Sequence, residues 1–173
     1  MGDPRRLKKK YSKPRVPFQK DRIIEELEYI GRYGLRNKRE FWRLRTKLGN
    51  WRKIARDSRS LPAEQAKDVQ QTLIKKLNRL GILGSEAEFE DVLLINIEDL
   101  LKRRLQTQIY EKGMAKTIYQ ARQMIVHKHI QVGAKRINSP SYIVKREEED
   151  KISFAPTSPF AGKKVEDKVK NTA

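Results

Sequence analysis

The most chemically informative part of this chain is residues 102–146, where eleven Lys and Arg residues are accompanied by a single acid, Glu111. Guanidinium and ammonium groups form their strongest hydrogen bonds with anionic oxygens such as those of phosphate. The segment cannot neutralise so many cations from within itself, and its regular apolar spacing indicates helices and strands rather than a loose chain. The sequence therefore predicts a folded surface that binds a polyanion.

A second basic block lies at residues 36–59, with ten Lys and Arg residues and two acids. Asn37 and Glu40 have the spacing of a capping box, which opens a helix. Apolar residues then follow at intervals of three and four, which predicts one buried stripe and a cationic remainder. The stripe consists of Phe41, Leu44, Leu48, Trp51 and Ala55. Trp51 belongs to this stripe and is expected in the core, whereas Trp42 lies beside it and could equally pack or stack on a base.

Residues 5–20 hold eight basic side chains, no acid and two prolines, with a third proline at position 4. Proline interrupts helices and strands, and so charged a segment cannot bury a core of its own. We therefore expect an extended basic arm that becomes ordered on RNA.

The whole chain has a net charge of +18 over 173 residues, a pI near 10.2 and 37% hydrophobic residues. Such charge makes nucleic acid the leading partner. The longest apolar run, residues 92–95, cannot span a bilayer, and the first residues lack the apolar core of a signal peptide, so we expect an intracellular protein that does not bind membranes. Without cysteine, disulfides and thiolate zinc sites are excluded. His127 and His129 are two residues apart on different helix faces, so we expect no metal and no cofactor.

The sequence supports an enzyme less well than a nucleic-acid-binding protein, because no phosphate-binding glycine loop, nucleophile elbow or cysteine nucleophile is present. The nearest enzyme alternative is a fragment of an RNA-modifying enzyme, but the length leaves no catalytic domain of ordinary size. A protein that compacts nucleic acid without specificity would explain the charge alone. Competition between a folded RNA and duplex DNA of equal length would separate these alternatives.

Other elements are predicted from local patterns. Asp21 is expected to cap a helix over residues 22–33, with Ile23, Ile24, Leu27 and Ile30 facing the core. Pro62 is expected in the first turn of a third helix, which ends at Gly81 and has a stripe made of Ala66, Val69, Leu73, Leu77 and Leu80. Ser85 and Glu88 form another capping pattern. Residues 80–101 hold six acids and no Lys or Arg, which indicates either a side turned away from the polyanion or a seam between two basic modules.

The segment after residue 97 predicts two helices on a small antiparallel sheet. One helix has the stripe Ile97, Leu100, Leu101, Leu105 and Ile109 and stops at Gly113. Thr117 caps the next, which buries Ile118, Ala121 and Ile125. Strands are expected at residues 130–132, 135–137, 142–146 and 151–154, with tight turns at Gly133 and at residues 147–150.

These motifs resemble the RNA-binding domain of small-subunit ribosomal protein S-four over residues 98–154. The resemblance lies in Arg103 to Gln108 (RRLQTQ), residues 113–117 (GMAKT), residues 121–123 (ARQ), Val126-His127, Ile130 with Val132-Gly133, and Pro140-Ser141. The flanks resemble the archaeal and eukaryotic form through Lys10-Tyr11, Pro14, Pro17-Phe18, residues 33–40 (YGLRNKRE), Trp42 and residues 155–160 (APTSPF). The short tail favours the archaeal type. Gly133 departs from the asparagine common in bacterial members.

The resemblance implies an α+β protein with a basic arm (1–20), a helical rRNA-binding domain (21–97), an RNA-binding domain (98–154) and a basic tail (155–173). It further implies an early-binding structural constituent of the small ribosomal subunit that holds an rRNA junction. It would lie near the channel through which messenger RNA enters, beside ribosomal proteins S-three and S-five, and would influence decoding accuracy. Partners would thus be small-subunit rRNA, those two proteins and messenger RNA, in the cytoplasm and without homo-oligomers.

The charge pattern assigns rRNA contacts to the arm and to the first long basic helix. The predicted residues are Arg5, Arg6, Lys8, Lys9, Lys10, Tyr11, Lys13, Arg15, Arg36, Asn37, Lys38, Arg39, Arg43, Lys47, Arg52 and Lys53. The resemblance assigns further contacts to the positions that match the family motif, namely Arg103, Arg104, Lys116, Arg122, Gln123, His127, Lys135 and Arg136.

Overall fold

The computed structural model describes residues 9–84 and 87–161. Seven α-helices are seen in this part of the chain: α1 (Lys20–Arg32), α2 (Lys38–Asp57), α3 (Ala63–Arg79), α4 (Asp91–Leu94), α5 (Ile97–Lys102), α6 (Leu105–Glu111) and α7 (Ile118–Val126). Three short strands, β1 (Ile130–Val132), β2 (Lys135–Arg136) and β3 (Ile152–Phe154), form an antiparallel sheet in the order β2-β1-β3. Short 3₁₀ turns cover Ser58–Ser60 and Arg146–Lys151. The predicted α+β class is confirmed.

Helix α2 forms as its pattern predicts. The Asn37 side chain accepts a hydrogen bond from the backbone N–H of Glu40 at 3.2 Å and so caps the helix. All five stripe residues are buried, Trp51 among them. Because the stripe occupies one side, the basic side chains of α2 must point elsewhere.

Helix α1 differs from its prediction. It begins at Lys20 after Gln19, so Asp21 lies inside the first turn and does not cap it. Ile24 and Leu27 are each more than half exposed, while Glu26 is fully buried. Arg22, Trp42 and Lys38 surround the carboxylate of Glu26 with donors and positive charge, and these partners favour the orientation of α1 in which Glu26 faces inward. Hydrophobic periodicity alone could not detect this.

Helix α3 follows Pro62, buries Leu73 and Leu77, and ends before Gly81, whose φ of +67° favours glycine. The capping pattern predicted at Ser85 lies outside the described residues. Most of the acidic segment packs under α2, where Val92 and Ile95 are buried in the same core as the α2 stripe. Of the two alternatives given for this acidic segment, its position therefore favours a seam between the basic modules over a side turned away from the polyanion.

The predicted single helix over residues 97–109 is two helices, α5 and α6. The chain is extended at Arg104, with ψ of 140°. There the N–H of Leu105 donates to the carbonyl of Tyr142 at 2.8 Å, and the N–H of Val144 donates to the carbonyl of Arg103 at 2.9 Å. These hydrogen bonds to a distant segment require extended backbone, so they interrupt the helix although the apolar stripe continues.

The later elements are partly as predicted. Thr117 caps α7 by accepting from the N–H of Gln120 at 3.1 Å, and Gly113 and Gly133 adopt positive φ as their turns require. The strand predicted at residues 142–146 is only a single bridge between Ile143 and Arg104. The turn predicted at residues 147–150 is part of the 3₁₀ turn Arg146–Lys151.

Two hydrophobic cores support the fold. The first combines α2 with Leu73, Leu77, Val92 and residues 95–101. The second lies between α6, α7 and the sheet and includes Leu105, Ile109, Ala121, Ile125 and Ile130. The passage from one core to the other therefore occurs at Arg103 and Arg104. No helix of the described residues is long and apolar enough to cross a membrane.

Candidate nucleic-acid interface

A cationic surface lies on and just before helix α2, outside its buried stripe. Its exposed members, here called the α2 surface, are Arg36, Arg39, Arg43, Arg45, Lys53 and Arg56. None of these forms an ion pair with a carboxylate in the described ranges 9–84 and 87–161. Arg45 and Arg56 were absent from the predicted contacts, and their helical spacing relative to the stripe would have placed them on this surface. The α2 surface is thus free to bind phosphates.

Four other predicted contacts near α2 are partly engaged within the protein. Lys38 lies 3.6 Å from Glu26, and Arg52 donates to the carbonyl of Ile95 at 2.6 Å. The ammonium of Lys47 lies 5.2 Å from the centre of the Trp51 ring. Burial, and then the nearby Lys76, lower the pKa of Lys47. Asn37 caps α2. The side chains of Lys38, Lys47 and Arg52 therefore stabilise the fold at least as much as they contribute to a cationic surface.

The buried Glu26 ties α1 and α2 to the arm. It accepts hydrogen bonds from Arg22 at 2.6 Å and from the indole N–H of Trp42 at 3.0 Å. Burial alone would raise the pKa of Glu26. The hydrogen bonds from Trp42 and Arg22 and the positive charges of Arg22 and Lys38 outweigh burial, so that the pKa is lowered. Trp42 is therefore a structural donor as well as a ring at the surface.

The arm follows α1 and α2 closely in the part that is described. Tyr11 stacks on Trp42 with 6.0 Å between ring centres, and the N–H of Ser12 donates to Thr46 Oγ1 at 3.0 Å. Lys9, Lys10, Lys13 and Arg15 are exposed along this segment. The predicted contacts Arg5, Arg6 and Lys8 lie outside the described residues.

Arg104 corrects the predicted set of contacts. Its side chain is only 1% exposed, and its Nη2 lies 2.7 Å from Glu40 Oε2. Burial lowers the pKa of Arg104 and Glu40 opposes that effect. A guanidinium enclosed and paired in this way is not available to RNA, so Arg104 is a structural residue. Its position in the family motif reflects its role in the fold.

The other oxygen of Glu40 pairs with Arg122, at 2.9 Å from Nη2. Burial alone would raise the pKa of Glu40, but the two arginines, Arg122 first, more than offset it and lower that pKa. Gln106 completes this Glu40 network: it accepts from Arg122 at 3.3 Å and donates to the carbonyls of Gly34 and Ile118 at 3.0 Å each. The network joins the first turn of α2 to the middle of α7 and thereby sets the two modules against each other.

The two modules approach each other closely at Gly34. It has a φ of +58°, and a Cβ there would come within 2.7 Å of Gln106 Nε2. Arg103 forms a similar junction on the other side: its guanidinium pairs with Glu149 at 2.6 Å and covers Gly81, where a Cβ would lie 2.8 Å from Arg103 Cζ. All three motif arginines are therefore paired with acids of this chain, and Arg103 and Arg122 retain only small exposed fractions of 11% and 21%.

The remaining motif residues form a second exposed surface. This α7–β2 surface consists of Lys116, Gln123, His127, Lys135 and Arg136. Lys116 and Gln123 lie before and along α7, His127 follows its last residue, and Lys135 and Arg136 form β2. The Glu40 network holds α7 against the start of α2 and so links this surface to the α2 surface.

The chemistry of these surfaces is that of binding. The side chains offer many donors and positive charge, which suits phosphate oxygens and 2′-hydroxyls. Within the described residues there is no group of three or more His, Asp or Glu side chains that could hold a metal ion.

Comparison with known proteins gives the family. The S4 domain model matches residues 103–150. The small ribosomal subunit protein uS4 of Hyperthermus butylicus is 48% identical over 98% of this chain and 96% of its own length. That of Ignicoccus hospitalis is 49% identical over 92% and 96%, and that of Metallosphaera sedula is 48% identical over 92% and 89%, respectively. The chain therefore belongs to the family of small ribosomal subunit protein uS4, in its archaeal type, as the sequence motifs predicted.

Proposed function

We propose that this chain holds rRNA in the small ribosomal subunit through the α2 surface, the α7–β2 surface and the basic arm. Membership of the uS4 family supports the structural ribosomal role, and close relatives over nearly the whole chain are ribosomal proteins rather than enzymes. The observation that carries the proposal is the α2 surface, six exposed cations without an acid partner in the described residues. A polyanion is the partner that such a surface requires.

The proposed rRNA contacts are the exposed basic and polar side chains of these surfaces, together with the half-buried Tyr11 of the arm. They comprise Lys9, Lys10, Tyr11, Lys13, Arg15, Arg36, Arg39, Arg43, Arg45, Lys53, Arg56, Lys116, Gln123, His127, Lys135 and Arg136. Lys38, Lys47, Arg52, Arg103 and Arg122 contribute smaller contacts because much of each side chain is engaged within the protein. Arg5, Arg6 and Lys8 remain predicted contacts of the arm.

Two modules fixed at one angle suit a folded RNA with several helices better than a single duplex. This supports the finer proposal that the chain binds early to an rRNA junction in the cytoplasmic ribosome. The neighbourhood of ribosomal proteins S-three and S-five, contact with messenger RNA where it enters and an influence on decoding accuracy are proposed from family resemblance. Chemical crosslinking of intact subunits tests the neighbours.

Two experiments test the function. After a high-salt wash, the protein should still sediment with the small subunit, and complete loss would contradict a structural role. In competition, folded small-subunit rRNA should be preferred over duplex DNA of equal length by well over tenfold at moderate salt, given the usual range for specific over nonspecific binding of about 10³ or more. A preference of less than about tenfold would instead favour nonspecific compaction.

A further inference from the structure

A cleft lies between the arm and α2. Its volume is about 460 Å³, which falls in the range of sites for small molecules. The arm contributes Lys13 and Arg15 to one wall, and α2 contributes Arg45, Gly49 and Asn50 to the other. We call it the arm cleft. The sequence predicted Lys13 and Arg15 as RNA contacts of the arm but did not place Arg45, Gly49 or Asn50 beside them.

The walls of the arm cleft are connected by contacts within the protein, although the sequence predicted an arm that becomes ordered on RNA. At one end, Ser12 is hydrogen-bonded to Thr46 and Tyr11 is stacked on Trp42. At the other, Arg22 Nη2 donates to the carbonyls of Val16 at 2.9 Å and Pro17 at 2.7 Å. Arg22 is itself fixed by the buried Glu26. A cleft formed in advance binds its ligand without first ordering its own chain.

The charges of the cleft have one sign. Lys13, Arg15, Arg22 and Arg45 line it, and no Asp or Glu is among its lining residues. Glu26 neutralises Arg22 from behind, which leaves Lys13, Arg15 and Arg45 exposed and without an ion pair in the described residues. The cleft is therefore suited to an anionic ligand.

The floor of the arm cleft also has uncharged groups that suit a nucleobase. Asn50 is exposed and carries both a donor and an acceptor, the combination needed at the edge of a nucleobase. Gly49 has no side chain, and a Cβ built there meets no atom within 4 Å, so the helix surface is open at that point. Trp42, half-buried, adds an aromatic ring to the wall.

We propose that the arm cleft holds a single unpaired nucleotide of the bound RNA. Its phosphate would contact Lys13, Arg15 and Arg45, and its base would lie against the floor at Gly49 and Asn50. Bases that are unstacked from loops and bulges are bound by proteins in this manner. A phosphate ion alone would leave most of the volume empty. The inference rests on the proposed function, because it requires an RNA ligand.

The proposal can be tested with a substitution that partly fills the arm cleft. Gly49→Leu places a side chain into the open space above α2, and leucine favours a helix more than glycine does, so the fold is retained. Gly31→Leu is the matched control, because Gly31 also lies in a helix with nothing within 4 Å of its Cβ but does not line the cleft. Thermal unfolding verifies that both variants fold.

Each full-length variant is then bound to small-subunit rRNA at moderate salt. Gly49→Leu should weaken binding by about tenfold or more, as expected when one stacked base is lost, and Gly31→Leu should bind like the wild type. Acylation of 2′-hydroxyls should show one short stretch of rRNA that the wild type protects and Gly49→Leu leaves reactive, with the rest of the footprint intact. An unchanged affinity and footprint for Gly49→Leu would overturn the proposal.

A second pair of variants tests the cleft without adding bulk to it. Arg45→Gln and Arg56→Gln each remove one exposed cation of α2, but only Arg45 lines the cleft. Arg45→Gln alone should expose the same stretch of rRNA, and an identical footprint for the two variants would contradict the proposal. A wild-type protein without preference for rRNA would refute the proposed function itself, which is a different result from a cleft variant that binds normally.

Discussion

Residues 36–59, which include helix α2, and residues 102–146 carry similar excesses of positive charge but use them differently. On α2 most cations point outward and have no acid partner in the described residues. In the second segment the three motif arginines, Arg103, Arg104 and Arg122, turn inward and pair with Glu149 or Glu40. The acids that neutralise them come from outside residues 102–146, so counting charge within a segment misses them.

This difference shows that a basic motif can have two roles in one protein. The arginines between the modules fix the angle at which the cationic surfaces meet, and the exposed cations bind. Removing a cation of the first kind should alter stability, whereas removing one of the second kind should alter affinity and its dependence on salt. The following predictions separate the two roles.

The largest effect is expected from Glu40→Ala. It leaves the almost fully buried Arg104 without its counter-charge, and breaking a buried ion pair in this way costs about 3–5 kcal/mol of unfolding free energy. Urea denaturation measures the change. Arg39→Ala, one residue earlier on the exposed side, should stay within about 0.5 kcal/mol of the wild type. Equal losses in the two variants would show that the Glu40 network does not hold the modules together.

The next largest effect is expected on the salt dependence of rRNA binding. Replacing Arg36, Arg39 and Arg43 together with Gln should flatten the slope of log affinity for rRNA against log salt by about 2–3, because each lost phosphate contact removes about one unit. Filter binding at several salt concentrations gives the slope. As the control, Lys67, Lys75 and Arg79 of α3 are replaced with Gln, which changes the net charge equally. If both triple variants had the same slope, the α2 surface would have no special share in binding.

Arg122 should behave as a structural residue despite its basic motif. Arg122→Ala loses hydrogen bonds to a charged partner and should cost about 1.5–3 kcal/mol of stability. Lys135→Ala, exposed on β2, should leave stability unchanged and flatten the salt slope by about one unit. Ile125→Ala, in the second core, provides a reference for lost packing at about 2–5 kcal/mol. A variant Arg122→Ala as stable as Lys135→Ala would show that Arg122 is not a structural residue.

The smallest effect is the dependence of stability on pH. The folded-state pKa values of Glu26 and Glu40 lie below the usual 4.5, so both carboxylates stabilise the protein above that value. This stabilisation is lost as pH falls through the lowered pKa values. Glu40→Gln should therefore be less stable than the wild type near neutral pH, and the difference should shrink in acid. Thermal midpoints across pH measure this, with Glu64→Gln at the exposed start of α3 as control. A constant difference at all pH values would exclude the charge of Glu40 as the cause.

Much of the fold could be predicted from local patterns. The cap at Asn37, the buried stripe of α2, the stop at Gly113 and the cap at Thr117 depend on residues close in sequence, so a single sequence contains the information. The predictions failed where a distant partner intervened. Glu26 turns α1 so that Ile24 and Leu27 are exposed, and hydrogen bonds to residues 142–144 interrupt the helix at Arg104.

The same division applies to the candidate site. The sequence by itself determined that the protein is cationic, that α2 presents charge opposite a buried stripe, and that the chain belongs with uS4, because composition, periodicity and motifs are properties of the chain. Only the tertiary structure decided which cations are free. That choice depends on Glu40 meeting Arg104 and Arg122 across 64 and 82 residues, a juxtaposition produced by packing and not by any local pattern.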